Sequence, residues 1–511
     1  MNINQFKKMI KRILILIGLI ISTITYAQKT KPNVVWIFVE DMNDWMGCYG
    51  DNTVPTPNID KLAASGMQFN RAYMPAGVCS ATRSAIALGT MQTTLGVHNH
   101  RSSRQRIPEE VHRLPEHTKT VYQILRNNGY HVINAGPKND FNFLWPTQSQ
   151  MELDKIKGKY GSGAYYSENK DELLYDVNSK KWGLSKGILD SLPSNKPVFI
   201  QFQLKGGKNS GRYANANPEN GPDPVKVGNQ KVFTDTSKVT VMPYYPDIPI
   251  VRKEIAHHYD CIRQTDDEVG KIMAALKKKG LYEYTVFFFW TDHGMRLPRH
   301  KQWLYEGGVK VPLLVAGPGI KKNNVRNDLV SGIDITATTL ALCEIDIPEW
   351  MEGKNMMAND FKRKFVVSAR DRCDFTIERV RAITTERFKY IRNFLTDRPF
   401  MQPHYRDGSP YIEDLRNYYK AGKMNDIQRF IWSETRVPEE LYDLKNDPHE
   451  TINLVNNPDF IDELNKHRTL LESWIKKTDD KGQYPESDTA LKGALKQWSK
   501  KAVNPEYDKV R

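Results

Sequence analysis

A chain of 511 residues with 74 Lys and Arg against 60 Asp and Glu, a formal charge of +14, is too long for one small domain and predicts a large core with a smaller companion. Its five cysteines (Cys48, Cys79, Cys261, Cys343, Cys373) are scattered and form no CxxC pair, which argues against a disulfide framework and leaves at least one thiol free. The cationic excess is spread along the chain and suits an acidic substrate or an anionic surface, and equally a merely soluble basic protein.

The first element reads as an export signal. Lys7, Lys8, Lys11 and Arg12 precede the apolar run 13–21, and Thr25-Tyr26-Ala27 closes it, so cleavage is expected after Ala27. The apolar run is too short to span a bilayer, no cysteine stands near the cleavage point to take a lipid, and no later stretch reads as a transmembrane helix. The mature protein is therefore expected outside the cytoplasm, periplasmic or secreted.

Continuous apolar runs follow at 33–39 (NVVWIFV), 197–203 (PVFIQFQ), 285–290 (TVFFFW) and 311–316 (VPLLVA), each predicting a strand covered on both faces. Helical patterns lie between them at 58–65, 119–128 and about 251–279. This alternation predicts an α/β fold, a large mostly parallel sheet flanked by helices. After about residue 350 the chain changes character. Segments 365–369 and 378–394 predict strands of a smaller sheet rich in arginine (Arg370, Arg372, Arg379, Arg381), 459–478 an amphipathic helix, and the remainder a polar, mobile tail. The expected organisation is a signal over 1–27, a catalytic domain over 28–350 and a smaller C-terminal α+β subdomain over 351–511.

Ligands of such sheets gather beyond the carboxyl ends of the strands. There the first run is followed by Glu40-Asp41 and the third by Asp292-His293. Three carboxylates and an imidazole can converge on one cation, and the oxygen majority favours a hard one such as Ca²⁺ or Mg²⁺. Either pair alone reads more simply as a turn or helix cap. Lys301 precedes the turn at Gly307-Gly308 and is placed to point back at the same face. The stretch YMPAGVCSATRSAIALGT (73–90) raises the question that these residues help to answer: a single thiol, Cys79, lies among small residues, with Arg83 one helical turn away.

Together these segments resemble the formylglycine-dependent (type I) sulfatases of the alkaline-phosphatase-like superfamily, of the polysaccharide-utilisation type. The resemblance runs in order through PNVVWIFVED (32–41), TPNIDKLAASGMQFNRAY (56–73), CSATR (79–83), ALGT (87–90), NNGYHVINAGPK (127–138), TDHG (291–294), KQWLYEGG (301–308), VPLLVAGPG (311–319) and ELYDLKNDPHETINL (440–454). It implies that Cys79 is oxidised to formylglycine by a formylglycine-generating or anaerobic maturating enzyme. The hydrated aldehyde would then attack sulfur with one hydroxyl and release sulfate with the other. It further implies one Ca²⁺ per chain held by Glu40, Asp41, Asp292 and His293 together with the modified Cys79, with Arg83 bridging residue 79 and the metal ligands and with Lys138 and Lys301 clamping the sulfate.

The chain departs from the family at several positions. Glu40 stands where aspartate is usual, and Ala81 replaces the commoner proline of the signature. The strand PVFIQFQ is often followed by a sulfate-contacting histidine; here LKGGKNSGRY (204–213) offers Lys208. Asp140 stands where many members carry a histidine two residues after the lysine. Lys208, His98 and His100 therefore compete for the role of leaving-group acid. HNHRSSR (98–104) and ARDRCD (369–374) supply His98, His100, Arg101 and Arg372, which with Asp140 are candidate substrate contacts, guanidinium being suited to bidentate recognition. The implied substrate is a sulfated carbohydrate: an algal polysaccharide such as ulvan or carrageenan, or a host glycosaminoglycan. Nucleic acid is not an expected partner. A phosphoesterase of the same superfamily, with two zinc ions and a Ser or Thr nucleophile, and a catalytically silent polysaccharide-binding protein are the competing readings. The single predicted cation cluster and the intact Cys79, Arg83, Asp292 and Lys301 disfavour them.

Overall fold

The computed structural model describes residues 31–100, 114–138, 140–143, 174–179, 181–209 and 224–511. The export signal and Arg101 lie outside these residues. No helix among the described residues is long and apolar enough to cross a membrane.

A nine-stranded sheet carries the large domain. Its strands are β1 (Asn33–Val39), β2 (Gly66–Tyr73), β3 (His131–Ala135), β4 (Val177–Ser179), β5 (Val198–Leu204), β6 (Thr285–Thr291), β7 (Lys310–Ala316), β8 (Asn324–Arg326) and β9 (Val330–Ser331). The order is β8-β2-β7-β6-β1-β5-β3-β4, with β9 also pairing β2. All pairs are parallel except those of β7, which runs antiparallel to both β2 and β6. The sheet is thus mixed and, as expected, mostly parallel. The chain leaves β6 at the carboxyl face, stays there through 292–309 and re-enters β7 from the same side without a crossover helix. The carboxyl end of VPLLVA therefore lies at the face opposite the site.

β1 is central because its side chains satisfy two apolar layers at once. Val35, Ile37 and Val39 face the core built with α4 (Pro249–Lys278), while Val34, Trp36 and Phe38 face the other layer. That second layer includes α3 (Val121–Asn127) and α5 (Asp334–Leu342), where the Trp36 indole donates to Thr339 Oγ1 at 3.0 Å. Period-two alternation in an all-apolar strand is what two-sided burial requires. β1 pairs in parallel with β5 and β6, with Val39 opposite both Leu204 and Thr291. One register therefore brings Glu40-Asp41, Lys205 to Lys208 and Asp292-His293 out side by side.

The smaller sheet is antiparallel, β10 (Val366–Arg370), β11 (Val380–Thr384), β12 (Phe388–Asn393) and β13 (Glu439–Asp443) in chain order. Helix α6 (Ile461–Thr478) packs on it through Leu464, Leu471 and Trp474. Its arginines are not a surface array: Arg381 is fully buried between Asp371 (2.9 Å) and Asp480 (2.6 Å). The expected polar tail is instead built into the fold. Helix α7 (Asp488–Trp498) and the turn 505–510 close an apolar cluster of Phe375, Leu491, Ala494, Ala502 and Tyr507. Tyr507, fully buried, donates its hydroxyl to the Phe375 carbonyl, so the last residues cover the smaller domain.

Candidate active site

Cys79 is the first residue of α2 (Cys79–Leu88), a helix with all ten residues buried. Val78 before it is extended and offers no side-chain cap, so the first N–H groups of the helix are left for a ligand at residue 79. Gly77 lets the loop approach the segment that carries Lys301: a Cβ there would meet the Trp303 carbonyl at 2.5 Å, and Gln302 N donates to Gly77 O at 2.6 Å. The thiol is poorly suited to act as a thiolate. Burial raises its pKa, Asp140 raises it further, and the hydrogen bond from His100 and the charge of Lys301 only partly oppose this.

Carboxylates from two neighbouring strand ends face the helix. Oxygens of Glu40, Asp41 and Asp292 lie within 4.8 Å of one another, and so do the ligand atoms of Cys79, Asp292 and His293. Asp41 adopts a left-handed backbone (φ 53°), and its N–H donates to Asp292 Oδ1 at 2.9 Å, locking the two strand ends together. Three atoms in this group are buried without a hydrogen bond, Asp41 Oδ1, Asp292 Oδ2 and His293 Nε2, while Glu40 Oε2 is met by the Lys208 ammonium. His293 Nδ1 lies 2.9 Å from the Gly294 carbonyl, which fixes the proton there and leaves the Nε2 lone pair turned to Asp41 and Asp292 at 3.6 and 3.5 Å. Burial lowers the His293 pKa despite the Asp292 charge, keeping the ring neutral as a ligand must be. Oxygen-rich, convergent and unsatisfied, this donor set fits a hard divalent cation.

Cations surround the carboxylates. Arg83, over the Phe38 ring at 4.1 Å, is ion-paired with Glu40. Lys301 Nζ lies 2.5 Å from Asp41 Oδ2; burial alone would push this ammonium down, but Asp41 outweighs it and holds the pKa well above the ordinary value. Lys138 Nζ is 3.8 Å from Glu40 Oε2 and 4.0 Å from Asp140. Lys208 reaches the same face, with its ammonium in ion contact with Glu40 and 3.4 Å from Asp41 Oδ1. The glycines before it serve close approach: a Cβ on Gly206 or Gly207 would meet the carbonyl of Glu40 or Asp41 at 2.2 or 2.1 Å, and Gly207 N donates to Glu40 O.

The Sulfatase family model matches residues 32–345, more than half of the chain. The chain belongs to the sulfatase family. It is a sulfuric ester hydrolase. A second family model, N-sulphoglucosamine sulphohydrolase C-terminal, matches residues 293–437. Among curated relatives, an ulvan-active sulfatase of Formosa agariphila is 27% identical over 468 residues, covering 90% of this chain and 77% of that protein. Human N-sulphoglucosamine sulphohydrolase is 24% identical and covers 88% and 90%. The solved structure of a 2-O GAG sulfatase superposes with a TM-score of 0.58 at 19% identity, over 89% of this chain and 94% of that one, which supports the shared fold.

Within this sulfatase the remaining candidates fall into two groups. His100 and Asp140 lie at residue 79: ligand atoms of Cys79, His100 and Asp140 are all within 4.8 Å of one another. Asp374 from the smaller domain holds the His100 ring, with Nδ1 and Oδ1 3.0 Å apart, and the His100 N–H donates to the Arg372 carbonyl. Burial alone would lower the His100 pKa; Cys373 and Asp374 outweigh it and raise it well above the ordinary value. His98 and Arg372 are placed otherwise. Burial lowers the His98 pKa, and the charges that act on it, Asp371, Arg381, Glu486 and Asp480, belong to the smaller domain. Arg372 is 5% exposed, donating to Glu486 at 2.6 Å and to the Asp374 carbonyl. Asp374 and Arg406 are contributors that the sequence reading missed. Asp374 sits two residues beyond Arg372, so its segment was visible but its role was not. Arg406 donates to the Lys301 carbonyl (3.1 Å) and to Gln302 Oε1 (2.9 Å), fixing the lysine loop from the smaller domain; no motif marks it.

Proposed function

We propose that this sulfatase is an exported enzyme that removes sulfate esters from a sulfated polysaccharide, an algal polymer of the ulvan type. The observation that carries this reading is the placement of Cys79 at an uncapped helix N-terminus facing a convergent donor set with three unsatisfied ligand atoms. The ulvan-active relative supports the substrate class. Glu40, Asp41, Asp292 and His293 would hold one Ca²⁺; when bound, the ion polarises the sulfate oxygens and favours an ionised hydroxyl on residue 79. Formylglycine made from Cys79 would supply that hydroxyl.

The chain's own residues then divide the work. Near residue 79, Glu40, Asp41, Asp140 and Asp292 are balanced by Arg83, Lys138, Lys208 and Lys301, so a divalent cation leaves a net positive pocket for an anionic ester. Lys138 and Lys301 flank the site and would bind sulfate oxygens. Arg83 holds Glu40 and keeps the carboxylates oriented. His100, kept charged by Asp374, faces residue 79 and is the proton donor for the leaving oxygen. Lys208, lodged on Glu40 and Asp41, contributes charge rather than that proton.

The test combines mass spectrometry with a substrate panel. The Cys79 peptide of active enzyme should be about 18 Da lighter than encoded, as conversion of a thiol to an aldehyde requires. Defined sulfated oligosaccharides from ulvan should lose sulfate, while phosphate esters should not react. Full activity in protein whose Cys79 is wholly unmodified would overturn the mechanism.

A further inference from the structure

A second charged feature lies away from the site. A groove of about 780 Å³ runs between the segment entering β10 and helix α6, floored by Phe365, Leu470 and Trp474. It lies beyond the end of α2 opposite Cys79: Met91, three residues past the helix, lines it, and ten helical residues span about 15 Å. Four exposed lysines, Lys354, Lys362, Lys364 and Lys477, edge the groove, and none makes an ion pair among the described residues. Between two of them Arg363 turns inward, donating through Nε to Asp334 at 2.7 Å, which anchors the segment and leaves Lys362 and Lys364 outside. The acid lining this groove, Glu352, is engaged by the Thr94 hydroxyl at 2.6 Å. A neighbouring depression of about 830 Å³ shares residues 362–364 and Leu470, but Asp328, Glu386 and Glu463 also line it and Arg387 and Lys466 are paired with Asp443 and Glu463, so the unneutralised cationic track is that of the first groove.

We infer that this track is a second, non-catalytic binding site for a sulfated polysaccharide chain. Unneutralised lysines are strongly hydrated point charges, placed at low cost in water and suited to sulfate groups that sit at intervals along a polymer. The apolar floor matches the apolar faces of sugar rings between those groups. Nucleic acid fits less well. Trp474 is 9% exposed and Phe365 half-buried, so no aromatic platform stands free for a base to stack on. The choice of a sulfated polymer rests on the proposed function, since the track would hold the chain whose esters the site cleaves.

The experiment reads binding without catalysis. In the Cys79→Ala background, native gels containing ulvan, desulfated ulvan or a neutral glucan are run for the parent and for a variant carrying Lys354→Ser, Lys362→Ser, Lys364→Ser and Lys477→Ser. The parent should be retarded by ulvan alone. The variant should bind at least about tenfold more weakly, with the slope of log affinity against log salt reduced by roughly one per lysine removed. With Cys79 intact, the same substitutions should leave turnover of a small sulfate ester unchanged, and an unchanged melting temperature shows that the variant folds. Equal retardation of parent and variant, equal retardation by desulfated ulvan, or loss of small-ester turnover each overturns the second site. If intact enzyme releases no sulfate from any polysaccharide, the proposed function fails instead, and the gels still decide the groove.

Discussion

Removal of the cation should soften the whole protein, because it leaves three buried ligand atoms without a partner. Asp41 Oδ1, Asp292 Oδ2 and His293 Nε2 are buried without hydrogen bonds. Each such atom costs about 1–3 kcal/mol, so a cation that engages all three relieves about 3–9 kcal/mol of unfavourable burial. Saturation at about 1,000 times Kd corresponds to about 4 kcal/mol of added stability. Unfolding entropies near 2.1 cal/mol/K per residue give about 1.1 kcal/mol/K for the chain, so the melting temperature should rise by about 4 °C. The assay is differential scanning fluorimetry of chelator-stripped protein titrated with Ca²⁺, beside Asp292→Asn. The amide keeps an acceptor for the Asp41 N–H, now at 2.9 Å, so the strand ends stay joined while the ionic ligand is lost. Wild type should shift and the variant should not. An unshifted wild type, or a variant that shifts equally, would refute the assignment of these atoms to a cation, and two equivalents of zinc per chain would favour a phosphatase.

Three further outcomes are expected. Lys389 is fully buried between Glu306 (2.7 Å) and Glu450 (3.0 Å), so Lys389→Met should strand two carboxyl groups and cost about 3–5 kcal/mol, read as a lower denaturant midpoint; an unchanged midpoint contradicts the ion triad. Burial pushes Glu268 up to about 7, above its ordinary 4.5, so the stability this group contributes is fully present below pH 4.5 and lost as pH rises through 7. Glu268→Gln should therefore gain on wild type by about 2–3 kcal/mol between pH 4 and pH 8, and a pH-independent difference would count against the burial argument. Lys208→Ala should slow sugar and aryl sulfates alike, by about 10²-fold, whereas His100→Gln should harm the sugar ester far more; the reverse pattern would return the proton to Lys208.

Local chemistry made much of this protein legible in the sequence. The runs NVVWIFV and TVFFFW read as strands covered on both faces, so Glu40-Asp41 and Asp292-His293 were expected at strand ends, and small residues around Cys79 marked a closely approached segment. Whether those ends were neighbours was beyond composition and periodicity. That depended on the pairing of β1 with both β5 and β6, which also carried Lys208 onto Glu40. The direction of β7 was equally hidden, because an apolar run reads the same in a parallel or antiparallel strand; the loop over 292–309 decided it. The tail misled by its polarity, since only a few residues such as Tyr507 need be apolar to seal it down. Sequence determined which groups the site contains, because side-chain chemistry is local. Tertiary structure alone decided that Asp374 and Arg406, from the smaller domain, hold His100 and Lys301 in place, because hydrogen bonds between residues 274 and 105 positions apart leave no periodic trace.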